Sequence, residues 1–317
     1  MNFVIRFFAA GLLMLPLVAQ AQAPLRVLVG FPPGSVLDTM ARLLADGLRV
    51  TLNQPVLVEN RPGVSGQIAA EQTRNAAPDG NTIFITPLAP MVTLPHASSK
   101  MPYDPFRDFT YLAHVANIEF ALAIPASLNA KTLPEYIELV RREPVKYANY
   151  SSAGAGAIPH FFGVLFGRTA KLETVHIPDN GTAQALPDLV SGQISGFVGT
   201  VGDVLPLHRS GKVRLLATSG KARHRMVPEV PTFREQGLDI EGYGWYGAYA
   251  PAGLAPAVAA RLSAALLAAI KDPAVADKLN AFGLDITGLG ATELAAIQKA
   301  DYDKWGPIIK ASGFRAD

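Results

Sequence analysis

Cysteine is absent from the 317 residues, which excludes disulfides, thiolate metal sites, a cysteine nucleophile and a lipid-modified N-terminal cysteine. Charge is scarce at 17%, and 28 Lys and Arg against 26 Asp and Glu leave a net charge of +2. No broad basic surface follows from that balance, so nucleic acid is not expected as a partner. The six histidines, at 96, 114, 160, 176, 208 and 224, are too scattered for a metal-binding helix, and none lies in an H-E-x-x-H pattern. Gly63-Val64-Ser65-Gly66-Gln67 falls one residue short of a nucleophile elbow. Neither a catalytic residue, a metal nor a cofactor is assigned on these patterns. What the chain has in quantity is apolar side chains, 49%, enough to fill one large or two medium domains.

Long hydrophobic runs are missing too, apart from Phe7 to Ala19. That run follows Arg6, is interrupted by Pro16, and is shorter than the roughly 20 apolar residues of a spanning helix. With Ala19-Gln20-Ala21 in small-x-small form behind it, residues 1–21 read as a secretory signal peptide cleaved after Ala21. The alternative cut after Ala23 would place Pro24 first, which processing tolerates poorly. Export argues against cytoplasmic nucleotide cofactors.

Downstream, Leu25 to Val29 predicts a strand, Phe31-Pro32-Pro33-Gly34-Ser35 a tight loop, and Val36 to Leu52 a helix stopped at Asn53. Further strands are expected at Pro55 to Glu59, Thr82 to Ile85 and Phe120 to Ile124, with a helix over Ala69 to Ala77 and another over Leu133 to Arg142. The strand-loop-helix arrangement returns at Tyr147 to Tyr150, the small-residue loop 151–157 and a helix from about Ile158 to Thr169. Strands at Val175 to Ile177, Ile194 to Val198 and Val213 to Thr218 and a helix over Ala183 to Ser191 complete a second unit. Trp245 to Ala250 reads as extended, and the remaining tail as three helices packing back onto the first unit. Strands separated by helices predict an α/β chain of two lobes, each a mainly parallel sheet flanked by helices. The expected division is 22–122 plus 241–317 for the first lobe and 123–240 for the second.

In such sheets ligands bind beyond the C-terminal strand ends, where each lobe offers a small-residue loop running into a helix N-terminus. Free amides and the helix dipole make an anion the natural guest there. Residues 152–157 carry no side chain larger than Ser, so a ligand can approach the backbone closely. Such a turn is also a common packing device. Asp38 and Arg42, four apart, suit a local ion pair, with ligand contact by Asp38 as the sharper alternative. Gly242 to Gly247 matches G-x-G-x-x-G by accident, since no strand precedes it and Trp245 and Tyr246 would crowd a pyrophosphate; these two read as hinge or core aromatics. His160, just after the second loop, reads as a neutral packing or hydrogen-bonding group.

Phe31-Pro32-Pro33-Gly34 with Asp38, Gln54-Pro55-Val56, Glu59-Asn60-Arg61-Pro62-Gly63, Pro78-Asp79-Gly80, Pro102-Tyr103-Asp104-Pro105, Gly154 and Gly156 with His160, His176-Ile177-Pro178, Val230-Pro231-Thr232 and Ala250-Pro251-Ala252-Gly253 occur in order along the mature chain. In these the chain resembles the Bug-type extracytoplasmic solute receptors of the tripartite tricarboxylate transporter family. The resemblance implies a periplasmic binding protein, type II-like, whose two lobes, joined by two crossovers, close on a small carboxylate for uptake or sensing. It implies no enzyme activity, a tripartite permease or a sensor in the membrane as partner, and a monomer. By that likeness one carboxylate is held by the amides of Ser152, Ala153, Gly154, Ala155, Gly156 and Ala157, with His160 behind them. Gly34, Ser35 and Val36 hold another part of the ligand, and Phe31 walls the cleft. By position Pro87, Leu88, Asp179, Asn180 and Thr182 face the cleft, and Asp203 is a candidate for meeting a ligand amine or hydroxyl.

The chain also departs from the family pattern. Ser35 replaces a second Gly, Pro87 and Leu88 replace small or hydroxyl residues, and Asp179-Asn180 replaces a Tyr-Lys pair. These changes predict a monocarboxylate with an apolar or aromatic body, or a ligand bearing an amine, over a dicarboxylate such as citrate. The alternative function is a secreted hydrolase or lyase on a similar bilobal scaffold, with His160 and a nearby Ser or Asp as acid and base.

Overall fold

The computed structural model describes residues 23–152, 154–179 and 181–316. The signal-peptide reading of residues 1–21, and the contacts expected of Ala153 and Asn180, fall outside the described residues.

The chain opens with β1 (Leu25–Val29), buried at every position but Arg26, and α1 (Val36–Leu52), which ends at Asn53 in the left-handed region (φ 50°). Then come β2 (Val56–Asn60), α2 (Gln67–Arg74), β3 (Thr82–Pro87), a single turn α3 (Leu94–Ala97) and β4 (Phe109–Ile118). Next are β5 (Phe120–Pro125), α4 (Leu133–Arg142), α5 (Pro144–Tyr147), β6 (Asn149–Ser152), α6 (Ile158–Ala170) and β7 (Val175–Ile177). After α7 (Thr182–Ser191), β8 (Gly196–Thr200), α8 (Val201–Arg209) and β9 (Val213–Thr218) the chain returns as β10 (Gly244–Pro251). It finishes with α9 (Pro256–Lys271), α10 (Pro273–Ala281), β11 (Leu284–Leu289) and α11 (Ala291–Ser312).

These strands form two sheets, ordered β11-β4-β10-β3-β1-β2 and β7-β6-β8-β5-β9. Both are mixed, which corrects the expectation of mainly parallel sheets. β1 pairs in parallel with β2 and β3, but β10 runs antiparallel between β3 and β4. In the second sheet β6 is parallel to β7 and β8, while β5 is antiparallel to β8 and β9. β10 and β5 are the strands the chain enters from the other sheet, so no helical crossover sets their direction, and β11 at the edge runs antiparallel to β4. β4 and β11 were not anticipated. β4 runs into β5 with only Glu119 between them, and the two strands lie in different sheets, so the chain passes from one sheet to the other at Glu119.

One residue stitches the two crossovers. Ser219 donates its amide to Phe120 O (2.8 Å), accepts Phe120 N–H at its Oγ (3.0 Å) and donates Oγ–H to Gly242 O (2.8 Å). The main core is continuous across both sheets: Phe162 of α6 meets Trp305 of α11 edge to face, ring centroids 5.5 Å apart. A smaller cluster, with Ala121, Phe197 and Leu205, fills the other face of the second sheet.

Candidate functional site

The first-lobe turn is built by a carboxylate. Ser35 caps α1 by accepting Asp38 N–H at its Oγ (3.2 Å), and Asp38 Oδ2 in return accepts Gly34 N–H (2.9 Å). Gly34 has φ +82° with open space around it, so backbone conformation and not crowding calls for glycine there. Asp38 also accepts Asn60 Nδ2–H (2.9 Å) and pairs with Arg42 (2.9 Å). Burial pushes the Asp38 carboxyl up, but Arg42, the Gly34 amide and Asn60 outweigh it and hold the group below its ordinary value. Both carboxylate oxygens are thus spent on the turn, in the local pairing that the four-residue spacing suggests.

In the second lobe, β6 leads to Gly154 and Gly156, both at positive φ, and then to Ala157 as cap of α6. Gly156 N–H donates to His160 Nδ1 (3.2 Å). The His160 ring stacks on His176 (centroids 4.1 Å apart), and His176 Nε2 pairs with Ser152 Oγ at 2.8 Å. Burial, with the neighbouring imidazole, lowers His160 to about 3; burial lowers His176 to about 4 against the opposing pull of Asp179. Both rings are therefore neutral near pH 7 and act as packing under the loop. Carbonyls of that loop are held by first-lobe side chains: Ser65 Oγ–H donates to Ala155 O (2.9 Å) and Thr93 Oγ1–H to Gly156 O (2.6 Å). Phe314, beyond α11, packs edge-on to His160. The cleft is accordingly shut in this structure.

An inner cavity of about 100 Å3 remains between the sheets. Of the anticipated residues, Phe31, Ser35, Val36, Pro87, Leu88, Ala157, Thr182 and Asp203 line it. A second, outer space of about 550 Å3 is lined by Phe31, Gly154, Ala155 and Asp179, beside Gly63 to Ser65 and Arg315. Gly34, Asp38, Ser152, Gly156 and His160 line neither; they shape the turns from behind. Asp179 is occupied by Ser151 Oγ–H at 2.5 Å.

Four helix N-termini reach the inner cavity: α1 through Ser35, α6 through Ala157, α7 through Thr182 and α8 through Thr200. Converging amides and dipoles make the space attractive to an anion. The rest of the wall is largely apolar, with Phe120, Ile118, Ile158 and Trp245, and no Lys, Arg or His lines it among the described residues. Trp245, whose indole N–H is held by Asp301 (2.7 Å), and Tyr246 line the cavity as well as filling the core. Thr200 lies at the end of β8, so the strand-end reasoning that finds Asp203 also reaches it. Ile118 was missed with β4, and Phe120, although read as the start of a strand, was not read as a site residue; both floor the cleft because the strands that cross between lobes pass beneath it. Among the described residues no cluster of His, Asp or Glu is placed to hold a metal, and no helix is long and apolar enough to cross a membrane.

The profile described as tripartite tricarboxylate transporter family receptor matches residues 40–314. The chain belongs to that receptor family. A UPF0065 protein from the gbd 5′ region of Cupriavidus necator is 34% identical to the receptor over 77% of this chain and 75% of that one. Among solved structures, MatC from Rhodopseudomonas palustris with bound malate superposes with TM-score 0.84, 29% identity and coverage of 90% of this chain and 98% of that one. The periplasmic binding protein BugD superposes with TM-score 0.85, 27% identity and coverage of 92% and 98%. The Bug-type resemblance and the two-lobed α/β fold thus hold. The receptor's family and its structural neighbours are periplasmic solute-binding receptors and not enzymes, which sets aside the hydrolase or lyase alternative.

Proposed function

We propose that the receptor captures a small organic carboxylate with an apolar body in the inner cavity, in the periplasm, and delivers it to a tripartite permease or presents it to a membrane sensor. The observation that supports this reading is the convergence of four helix N-termini on a mostly apolar cavity with no cationic side chain in its wall. Amides and dipoles receive the carboxylate, and each charge-assisted bond contributes on the order of 1.5–3 kcal/mol, so a few suffice for micromolar affinity after the costs of association. The lobes are the two sheets with their helices. They hinge at Glu119 and between residues 219 and 243, with the Ser65 and Thr93 bonds made on closing. Residues 1–21 serve as an export signal cleaved after Ala21, and the mature receptor acts as a monomer.

The test is native mass spectrometry of gently purified protein together with a thermal-shift panel of carboxylates. A retained small carboxylate, released unchanged, and stabilisation by members of the panel are expected. A retained compound without a carboxylate, or one converted during incubation, refutes the proposal.

A further inference from the structure

Asp203 is the one carboxylate in the wall of the inner cavity among the described residues. Its Oδ2 accepts Thr200 Oγ1–H at 2.8 Å, and its backbone N–H donates to Thr200 Oγ1 at 3.1 Å. Thr182, at the start of α7, donates to the carboxylate as well. These partners are neutral, and they leave acceptor positions of the carboxylate open. The residues lining the cavity include no cation to balance it, and much of the wall is apolar, with Leu88, Ile158 and Phe120. A carboxylate enclosed without a counter-charge is expensive to keep ionised. The electrostatics of the cavity are therefore divided: amide-rich helix ends that favour an anion, and one acidic side chain that favours a cation.

We infer that the solute is a small amino-carboxylate, with its ammonium group against Asp203, its carboxylate at the helix N-termini and a short apolar body between them. This rests on the carboxylate-capture reading above and adds the second charge. The cavity also limits size: at about 100 Å3 it is smaller than cavities that hold benzene, which have about 150 Å3, so the body spans only a few carbons. A dicarboxylate of similar length would bring a second anion to Asp203 and is disfavoured by like-charge contact.

Isothermal titration with matched pairs tests this: propanoate against alanine and β-alanine, butanoate against 2-aminobutanoate and 4-aminobutanoate, and 3-methylbutanoate against valine. In the wild-type receptor at least one amino member is expected to bind about thirtyfold or more tightly than its amine-free partner, the scale of an enclosed charge pair. The α- and ω-amino arms report where along the body the ammonium lies. Asp203→Asn is expected to erase the preference. Amine-free acids that bind as tightly as their amino partners, or a preference that survives D203N in a variant with a native melting transition, overturn the inference while leaving carboxylate capture intact. Where D203N fails to fold, the wild-type pairs alone decide. Absence of binding by every acid in both arms refutes carboxylate capture itself, and the inference falls with it.

Discussion

Glu119 joins the last residue of β4 to the first of β5, so its side chain sits where the chain passes between sheets. Its carbonyl accepts Val201 N–H at 3.0 Å, while its Oε2 is buried and has no hydrogen-bond partner. Gly220 on the other crossover closes over it: a Cβ there would stand 2.3 Å from Oε2. Burial, then the negative charge of Asp285, pushes the Glu119 carboxyl from 4.5 up to about 7. Tyr243 also lies close enough to interact with it. With the folded value above the unfolded one, the protonated carboxyl stabilises the fold fully below pH 4.5, and that contribution is lost as pH rises through 7. The full shift corresponds to at most about 3 kcal/mol, and because water reaches part of the side chain roughly 1–2 kcal/mol should be realised. Glu119→Gln fixes the neutral state. Urea unfolding followed by circular dichroism should find the variant more stable than wild type by that amount at pH 8 and close to it at pH 5. Equal differences at the two pH values, or a variant less stable at pH 8, would refute the reasoning.

Two further outcomes follow from the loops. Asp38→Ala strips the acceptor from the Gly34 amide, Asn60 and Arg42, and should cost about 2–4 kcal/mol in urea unfolding and weaken solute binding at least tenfold; native stability with intact affinity would show that the first turn holds itself. His160→Phe acts through pH with the sign opposite to Glu119. The folded values of about 3 for His160 and about 4 for His176 lie below the ordinary 6.5, so the neutral rings stabilise the fold above pH 6.5 and this is lost as pH falls. The stability gap between wild type and variant should narrow by about 1–2 kcal/mol from pH 7.5 to pH 4.5, and a gap that stays constant counts against a neutral buried ring.

The strand-loop-helix units at residues 25–52 and 149–170 were legible because each obeys a local rule: a short strand, small residues that admit positive φ, and an immediate switch to helical spacing. Elements without such punctuation were not. β5 was read where it lies, at Phe120 to Ile124, but β4 was not: a single glutamate separates the two strands, and the residues between Phe109 and Pro125 contain no Gly or Pro until the last to mark the change. β11 is an edge strand whose pairing with β4 shifts register after Ile286, so its side chains do not alternate cleanly. β8 begins two residues later than its apolar pattern suggests, because Gln193 and Ile194 still donate to the Asp188 carbonyl at the end of α7.

The same division runs through the site. Turns were found from their glycines, but which face of a turn meets the solute depends on how the lobes meet, and that is a long-range property. Gly154 and Ala155 carry the amide-rich signature, yet closure sends Ala155 O to Ser65 and turns that stretch toward the outer space. Ala157 and Thr182, at the starts of their helices, reach the inner cavity instead. The enclosure is completed by Phe120 and Trp245, from strands on either side of the crossovers, which neither lobe contributes as a loop. A hinge strand of a bilobal receptor therefore has two tasks: it carries the motion and it floors the cleft. A substitution at Phe120 should for that reason alter solute preference and closure together.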